Sequence, residues 1–268
     1  MKHDFTVLVT LHQRSDIALN FNLLIDSIYS NTLKPKNVLI LVDGPIELSF
    51  KKNIENKKKN RKFDTFFNPT NIGLANILNL GLAKINTTWV IRVDGDDICL
   101  SNRFKKIMDN VDPNLSIIGS YISEIDENKK SRIKSVPLSH KSIIKYIKFR
   151  NPFNHCAVAY QRDHVIKIGG YPNIYLQEDY GLWVKMIANG FKGINLPEVL
   201  VNASFNSQSY KRRTGAEYLK SDFKLSMLKY DLGVINLIEF LIVILVRISF
   251  ILMPNFLKKN LYALIRIF

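Results

Sequence analysis

The stretch WVIRVDGDDICLSNRF, residues 89–104, places Asp94, Asp96 and Asp97 within four positions, directly after an apolar run. Like charges so close repel one another, and leaving them at a strand end is costly unless a cation or hydrogen-bond donors compensate. A hard divalent cation does so, taking one or two carboxylates together with the phosphates of a substrate. The spacing therefore implies either a site for a metal and a diphosphate or an Asp-rich turn. In the turn, Gly95 would supply a special backbone conformation and Asp97 would lie near a helix start. A second acidic pair, Glu178 and Asp179, opens a helical period carrying Leu182, Trp183, Met186 and Ile187. Carboxylates there favour the helix dipole, and they are also suited to general-base work. Trp183 and Met186 fall at core spacing and are assigned to packing. His155, in NPFNHCAV, is by type a hydrogen-bonded structural histidine or a site residue. Arg92 is placed to neutralise a neighbouring carboxylate or to meet a ligand. Arg212 and Arg213, in QSYKRRTG, read as a solvated basic patch or as a pair for pyrophosphate, because arginine suits bidentate contact with phosphate.

Up to about residue 100, short β-branched runs alternate with helical periods, the pattern of strands joined by crossover helices. FTVLVTL (5–11), NVLILVDG (37–44), the shorter KFDTFFN (62–68) and TWVIRVD (88–94) read as strands. Ser15 or Asp16 can cap a helix carrying Ile17, Phe21, Leu24, Ile25 and Ile28, and a further helix is predicted from about Ile72 to Ile85. Runs apolar on both faces suit a sheet covered on both sides. The predicted class is α/β, a Rossmann-like three-layer α/β/α unit with a mostly parallel central sheet. Ligands of such sheets bind beyond the carboxyl ends of the strands, where Asp43 and the 94–97 cluster fall. The second half reads as a strand, turn and strand in LSIIGSYISEIDENKKSRIKSV, a strand in HCAVAYQ (155–161) and a helix from about Asp179 to Asn189. KKNIENKKKNRK (51–62) reads as a solvated loop or short helix.

Of the 268 residues 47% are apolar, ample for a packed core, and the 38 basic against 23 acidic residues imply an anionic partner. That partner is a phosphorylated ligand, an anionic membrane or nucleic acid. The chain carries no helix-turn-helix, zinc-finger or aromatic RNA-binding signature, so nucleic-acid binding is the remote alternative. Two cysteines, Cys99 and Cys156, in no metal-type spacing, imply a reducing, intracellular compartment. The N-terminal run reads as a first strand and not as a secretory signal, so the catalytic part is expected in the cytoplasm. From about Val234 the chain turns apolar and basic. The 17 residues between Asn236 and Pro254 would give about 26 Å of helix, short for a ~30 Å hydrocarbon core, and Arg247 lies near the middle. A shallow or re-entrant placement is expected, followed by NFLKKNLYALIRIF in the pattern of a basic interfacial helix. The expected division is a catalytic domain over 1–205, a basic linker and helix over 206–233, and a membrane-associating tail over 234–268. The catalytic domain would hold its nucleotide-sugar half at about 1–100 and its acceptor half at about 101–205.

Six segments in order resemble family 2 glycosyltransferases, which have the GT-A fold: VTLHQR, LVDGP, NIGLANILNLGL, RVDGDDICLSNRF, NPFNHCAVAYQRDHVIKIGGY and LQEDYGLWVKMIANG. The likeness covers about residues 5–210, and within the family the chain looks most like bacterial O-antigen and exopolysaccharide enzymes of the amylovoran-biosynthesis type. The resemblance implies an inverting, metal-dependent transfer of one sugar. Asp94 and Asp96 match the D-x-D motif, with Asp94 facing the ribose or uridine and Asp96, beside Asp94, binding Mn²⁺ or Mg²⁺. Asp43 matches the carboxylate that accepts a hydrogen bond from the nucleotide base, with Thr10 beside the same base. Asp179 matches the catalytic base, Glu178 would orient the acceptor, and His155 matches a position near the sugar. The Q-x-x-R-W motif of processive members is absent, which favours a single transfer. The implied donor is UDP-galactose and the acceptor N-acetylglucosamine-diphospho-undecaprenol at the cytoplasmic face of the inner membrane, with a β-linkage. UDP-glucose and UDP-N-acetylgalactosamine stay open as donors.

Overall fold

The computed structural model describes residues 4–13, 15–205 and 215–252; residues 206–214, with Arg212 and Arg213, and 253–268, with the expected interfacial helix, lie outside the described residues. Four parallel strands, β1 (Phe5–Leu11), β2 (Asn37–Asp43), β3 (Asp64–Asn68) and β4 (Trp89–Asp94), stand in the order β3-β2-β1-β4. They are joined by α1 (Ser15–Ser30), α2 (Leu48–Asn60) and α3 (Leu74–Lys84). The lysine-rich segment is thus a helix, and its hydrophobic side is Phe50 and Ile54, both buried.

Beyond β4 the sheet is mixed, so the mostly parallel expectation holds for the first half alone. Two-residue β5 (Ile98–Cys99) runs antiparallel to β9 (Lys192–Ser204), and β6 (Leu115–Ile125) runs parallel to β9. A hairpin joins β6 to β7 (Ser131–Lys134), and β8 (Ala159–Gln161) lies antiparallel between β4 and β6. The strand expected over 155–161 forms only in its last three residues, and His155–Ala157 make a 3-10 turn. The Cys156 carbonyl that a ladder would use is instead taken by the guanidinium of Arg103 at 2.8 Å.

Helices cover both faces, as the three-layer expectation requires. One core joins α1, α2 and α4 (Arg103–Asp109) to Phe5, Val7, Val9 and Leu11 of β1. The other joins α3, α5 (His140–Tyr146), α6 (Arg162–Lys167) and α7 (Glu178–Ala188) to Leu8, Leu39, Leu41 and Val90. A helical pair, α8 (Ala216–Asp231) and α9 (Leu237–Leu252), follows, and Leu225 of α8 belongs to the second core. Successive side chains of a strand point to opposite faces. Thr10 shares the parity of Leu8, Asp43 that of Leu41, and Arg92 and Asp94 that of Val90. All four therefore belong to the α3/α7 face, and Thr10, Asp43 and Asp94 lie at the carboxyl ends of their strands.

Candidate active site

Arg92 is completely buried and works outward through its neighbours. Its Nη2 donates to Thr10 Oγ1 (2.6 Å) and to Asp94 Oδ1 (2.5 Å), and its Nη1 to the carbonyl of Leu8 (3.1 Å) and to that of Val93. Arg103, also completely buried, holds the carbonyls of Arg92 (2.6 Å) and Cys156 and the Cys99 sulfur (3.2 Å). Two interior guanidinium groups thus lie behind the acidic turn. Burial pushes the Asp94 carboxyl up, but Arg92, His155, Arg103 and His12 outweigh it and hold Asp94 below the usual carboxylate value.

Asp97 behaves in the opposite way. Burial and the charges of Asp94 and Asp96 drive it well above the usual carboxylate value, although it accepts hydrogen bonds from the Cys156 thiol and from the Ser204 backbone N–H at 3.0 Å. Ligand atoms of Asp94, Asp97 and Cys156 lie within 4.8 Å of one another; Asp96, half-buried, is outside this group. A thiol pushed well above its ordinary value is a poor partner for a hard cation, and Asp97 is committed to Ser204 and Cys156. Asp94 and Asp96 offer the oxygen donors that a hard dication prefers, and the repulsion felt at Asp97 marks a cluster in want of positive charge. Gly95 is needed for space and not for a left-handed backbone: a Cβ there would stand 2.7 Å from Leu11 Cδ2 and 2.9 Å from the Thr10 carbonyl oxygen.

Asp43 is buried at the end of β2 and accepts the backbone N–H groups of Ile72 and Gly73, each at 3.0 Å, which ties the entrance of α3 to the strand end. A carboxylate offers about four lone-pair sites, so further acceptor capacity remains.

At the start of α7, Asp179 Oδ2 accepts from Asn151 Nδ2 at 2.7 Å. Its neighbour Glu178 is buried, and burial, with the Asp179 charge adding, raises its carboxyl to about 7 against the backbone hydrogen bonds it accepts. Burial and Arg92 lower the His155 imidazole below its ordinary value, while the charges of Asp94 and Asp179 both pull it up. Its Nε2 meets Tyr171 Oη at 3.1 Å, and Tyr171 Oη donates to Tyr160 Oη at 3.2 Å. Trp183 and Met186 are fully buried, as their spacing predicted, and the Trp183 ring packs on Phe153 at 5.3 Å.

Thr10, Arg92 and Asp94 thus gather at one point, and His155 is near enough to feel the charges of both Asp94 and Asp179; Asp43 stands on the same face, at the entrance of α3. Sequence reasoning missed Asn151, Arg103 and the tyrosine pair. All four lie in segments already singled out, Asn151, Tyr160 and Tyr171 in NPFNHCAVAYQRDHVIKIGGY and Arg103 in RVDGDDICLSNRF, but nothing in those segments marks which side chains meet.

The family model described as Glycosyl transferase family 2 matches residues 6–169. The chain is 37% identical over 262 residues to the UDP-Gal:alpha-D-GlcNAc-diphosphoundecaprenol beta-1,3-galactosyltransferase of Escherichia coli, covering 96% of this chain and 94% of that protein. It is 32% identical over 260 residues to the amylovoran biosynthesis glycosyltransferase AmsE of Erwinia amylovora, covering 96% and 97%. Among solved structures, the mannosyltransferase PcManGT of Pyrobaculum calidifontis, in complex with GDP-Man and Mn²⁺, superimposes with a TM-score of 0.62 at 14% identity over 90% of this chain and 68% of that one. The shared fold is the GT-A-like arrangement of a mixed, curled sheet between helical layers.

Proposed function

The chain belongs to glycosyl transferase family 2, and from that premise we propose that it transfers one galactosyl residue from UDP-galactose, with inversion, to N-acetylglucosamine-diphospho-undecaprenol. The observation that carries this reading is a pair of separately held carboxylates, Asp94 on the buried guanidinium of Arg92 at 2.5 Å and Asp179 on the amide of Asn151 at 2.7 Å. One carboxylate stands at the strand ends where a nucleotide diphosphate is expected, and the other stands free of the acidic turn, where an acceptor would enter. The named activity of the E. coli relative, alike along nearly its whole length, supports the substrates. UDP-glucose and UDP-N-acetylgalactosamine are the alternative donors.

Asp43 and Thr10 would receive the uracil end of the donor, and Asp94, kept ionised by Arg92, its ribose. Asp96 and Asp94 would hold Mn²⁺ or Mg²⁺. Bound there, the cation offsets the negative charge that grows on the departing diphosphate. Asp179, oriented by Asn151, takes the proton of the acceptor hydroxyl as that oxygen bonds to the anomeric carbon; the bond from that carbon to the phosphate oxygen breaks and its electrons leave with UDP. Glu178, buried beside Asp179, would orient the acceptor, and His155 would stand near the sugar.

The acceptor implies a membrane, and α9 offers the surface for one. Leu237, Ile238, Leu241, Ile242, Leu245 and Val246 recur at i, i+1, i+4 and i+5 and are each 49–70% exposed, an apolar stripe of the kind that marks an interaction site. No helix among the described residues is long and apolar enough to cross a membrane. A shallow placement of α9 at the cytoplasmic surface of the inner membrane suits both facts.

The test is a donor screen against a synthetic diphospholipid-linked N-acetylglucosamine, followed by Asp96→Ala, Asp179→Ala and EDTA. UDP-galactose should be used best, and each perturbation should lower turnover at least ~10²-fold, the scale of a lost base or charge-stabilising group. Full transfer in Asp179→Ala would remove it as the base, and undiminished activity in EDTA would remove the metal.

A further inference from the structure

The segment that presents Asp179, like α8 that holds it, lies beyond the region matched by the family model. Leu176, three residues before it, has φ 56°, a left-handed conformation that is unfavourable for a side-chain-bearing residue. Such strain persists only where the surroundings over-determine it. Here the determinants come from α8. Gln177, buried, donates through Nε2 to Asp222 Oδ1 (2.8 Å) and to Tyr218 Oη (3.0 Å). Tyr180, next to Asp179, accepts from Lys229 Nζ (2.8 Å) and donates to the carbonyl of Ile147 (2.7 Å). Lys229 Nζ also donates to the carbonyl of Lys148 (3.1 Å) and sits 4.1 Å from the centre of the Tyr180 ring.

Two chain segments meet at Asp179. One is the turn 176–180; the other runs from Ile147 to Asn151, whose amide holds the Asp179 carboxylate. The Lys229 ammonium bonds to both. Lys148 is held again from α9, where Glu239 takes its Nζ at 2.6 Å. Tyr218, Asp222 and Lys229, spaced by four and seven residues, fall on one stripe of α8. Lys229 is only 2% exposed, and taking an ammonium out of water costs several kcal/mol, a cost that a methionine filling the same space would not incur. Packing alone therefore does not account for a lysine here.

We propose that Lys229 is a positioning residue of the reaction: by bridging Tyr180 and the 147–151 segment it fixes Asp179 and Asn151 against each other, so that the helical pair completes the acceptor half of the site. The proposal rests on the reading of Asp179 as the base. The two strengthen each other without being the same claim, because the bonds of Lys229 to Tyr180 and to the Lys148 carbonyl belong to the framework around Asp179 and not to the carboxylate itself.

The experiment measures sugar transfer from the UDP-sugar to the diphospholipid acceptor by the full chain carrying Lys229→Met, alone and combined with Asp179→Ala. Tyr180→Phe, which removes only the bridging hydroxyl, is measured in parallel and carries the test if the methionine variant does not fold. Misplacing a catalytic group by about 1 Å can cost about 100-fold, so each variant should lower kcat about 10- to 100-fold in the otherwise unaltered enzyme. The donor KM should stay within about 2-fold, and in the Asp179→Ala background the same substitution should change the residual rate by less than about 2-fold, because groups acting as a unit are non-additive. Equal losses in both backgrounds, or unchanged kcat in both single variants, overturn the proposal. Full transfer by Asp179→Ala alone overturns it by a distinct route, through the assignment of the base.

Discussion

Glu178→Gln isolates the energy stored beside Asp179. The Glu178 carboxyl titrates near 7 in the folded protein, chiefly because it is buried, against an ordinary value of 4.5 in an exposed chain. Between those values the folded state keeps a proton that the unfolded chain has lost, so rising pH weakens the fold. At about 1.4 kcal/mol per pH unit, the interval from 4.5 to about 7 amounts to about 3 kcal/mol of destabilisation once Glu178 is ionised in both states. Glutamine keeps the shape of the neutral acid and cannot ionise. Relative to the unsubstituted protein, Glu178→Gln should gain about 1 kcal/mol at pH 5 and about 3 kcal/mol at pH 8. Urea unfolding at pH 5, 6, 7 and 8 reads the difference from the shift of the midpoint at constant m-value. A fixed offset between the variants arises from packing of the amide and does not bear on the argument; the growth of the gap with pH does. Two stability curves that run parallel from pH 5 to pH 8 would refute the buried, proton-holding Glu178.

The acidic turn and the membrane surface give two further tests. Gly95→Ala brings a methyl group within 2.7–2.9 Å of Leu11 and the Thr10 carbonyl, so β1 and the turn must part, at a cost of about 1–3 kcal/mol. Calorimetric titration with UDP and Mn²⁺ should then show weaker binding than for the unsubstituted protein, and equal affinity would mean that the turn tolerates the shift. Leu241→Asp with Leu245→Asp places two charges in the exposed stripe of α9 and should move the protein from the membrane pellet to the supernatant on cell fractionation, with transfer to a water-soluble acceptor analogue retained. Unchanged sedimentation would remove α9 as the membrane-facing element.

Local patterning carried much of this protein into the open. Alternation in FTVLVTL, NVLILVD and WVIRVD is enough to set Thr10, Asp43 and Asp94 on one face at the strand ends, because a side-chain period of two holds whatever packs on the sheet. Glu178 and Asp179 were legible as the acidic first turn of a helix, and Trp183 and Met186 as its buried side, for the same reason at a period of 3.6. What no local pattern encodes is how separate layers meet. Asp97, and not Asp96, converges with Asp94 and Cys156, since Cys156 arrives on a 3-10 turn where a strand was expected and Ser204 arrives from the far end of β9. Arg103 looks in the sequence like any basic residue opening an exposed helix, yet it is completely buried, where its guanidinium donates to the carbonyls of Arg92 and Cys156 from two separate elements. Asn151 reaches Asp179 across 28 residues of chain, and Lys229 reaches Tyr180 across 49. Those pairings depend on the distance and angle between α7, α8 and the loop before β8, quantities set by core packing, which periodicity within a single element does not specify.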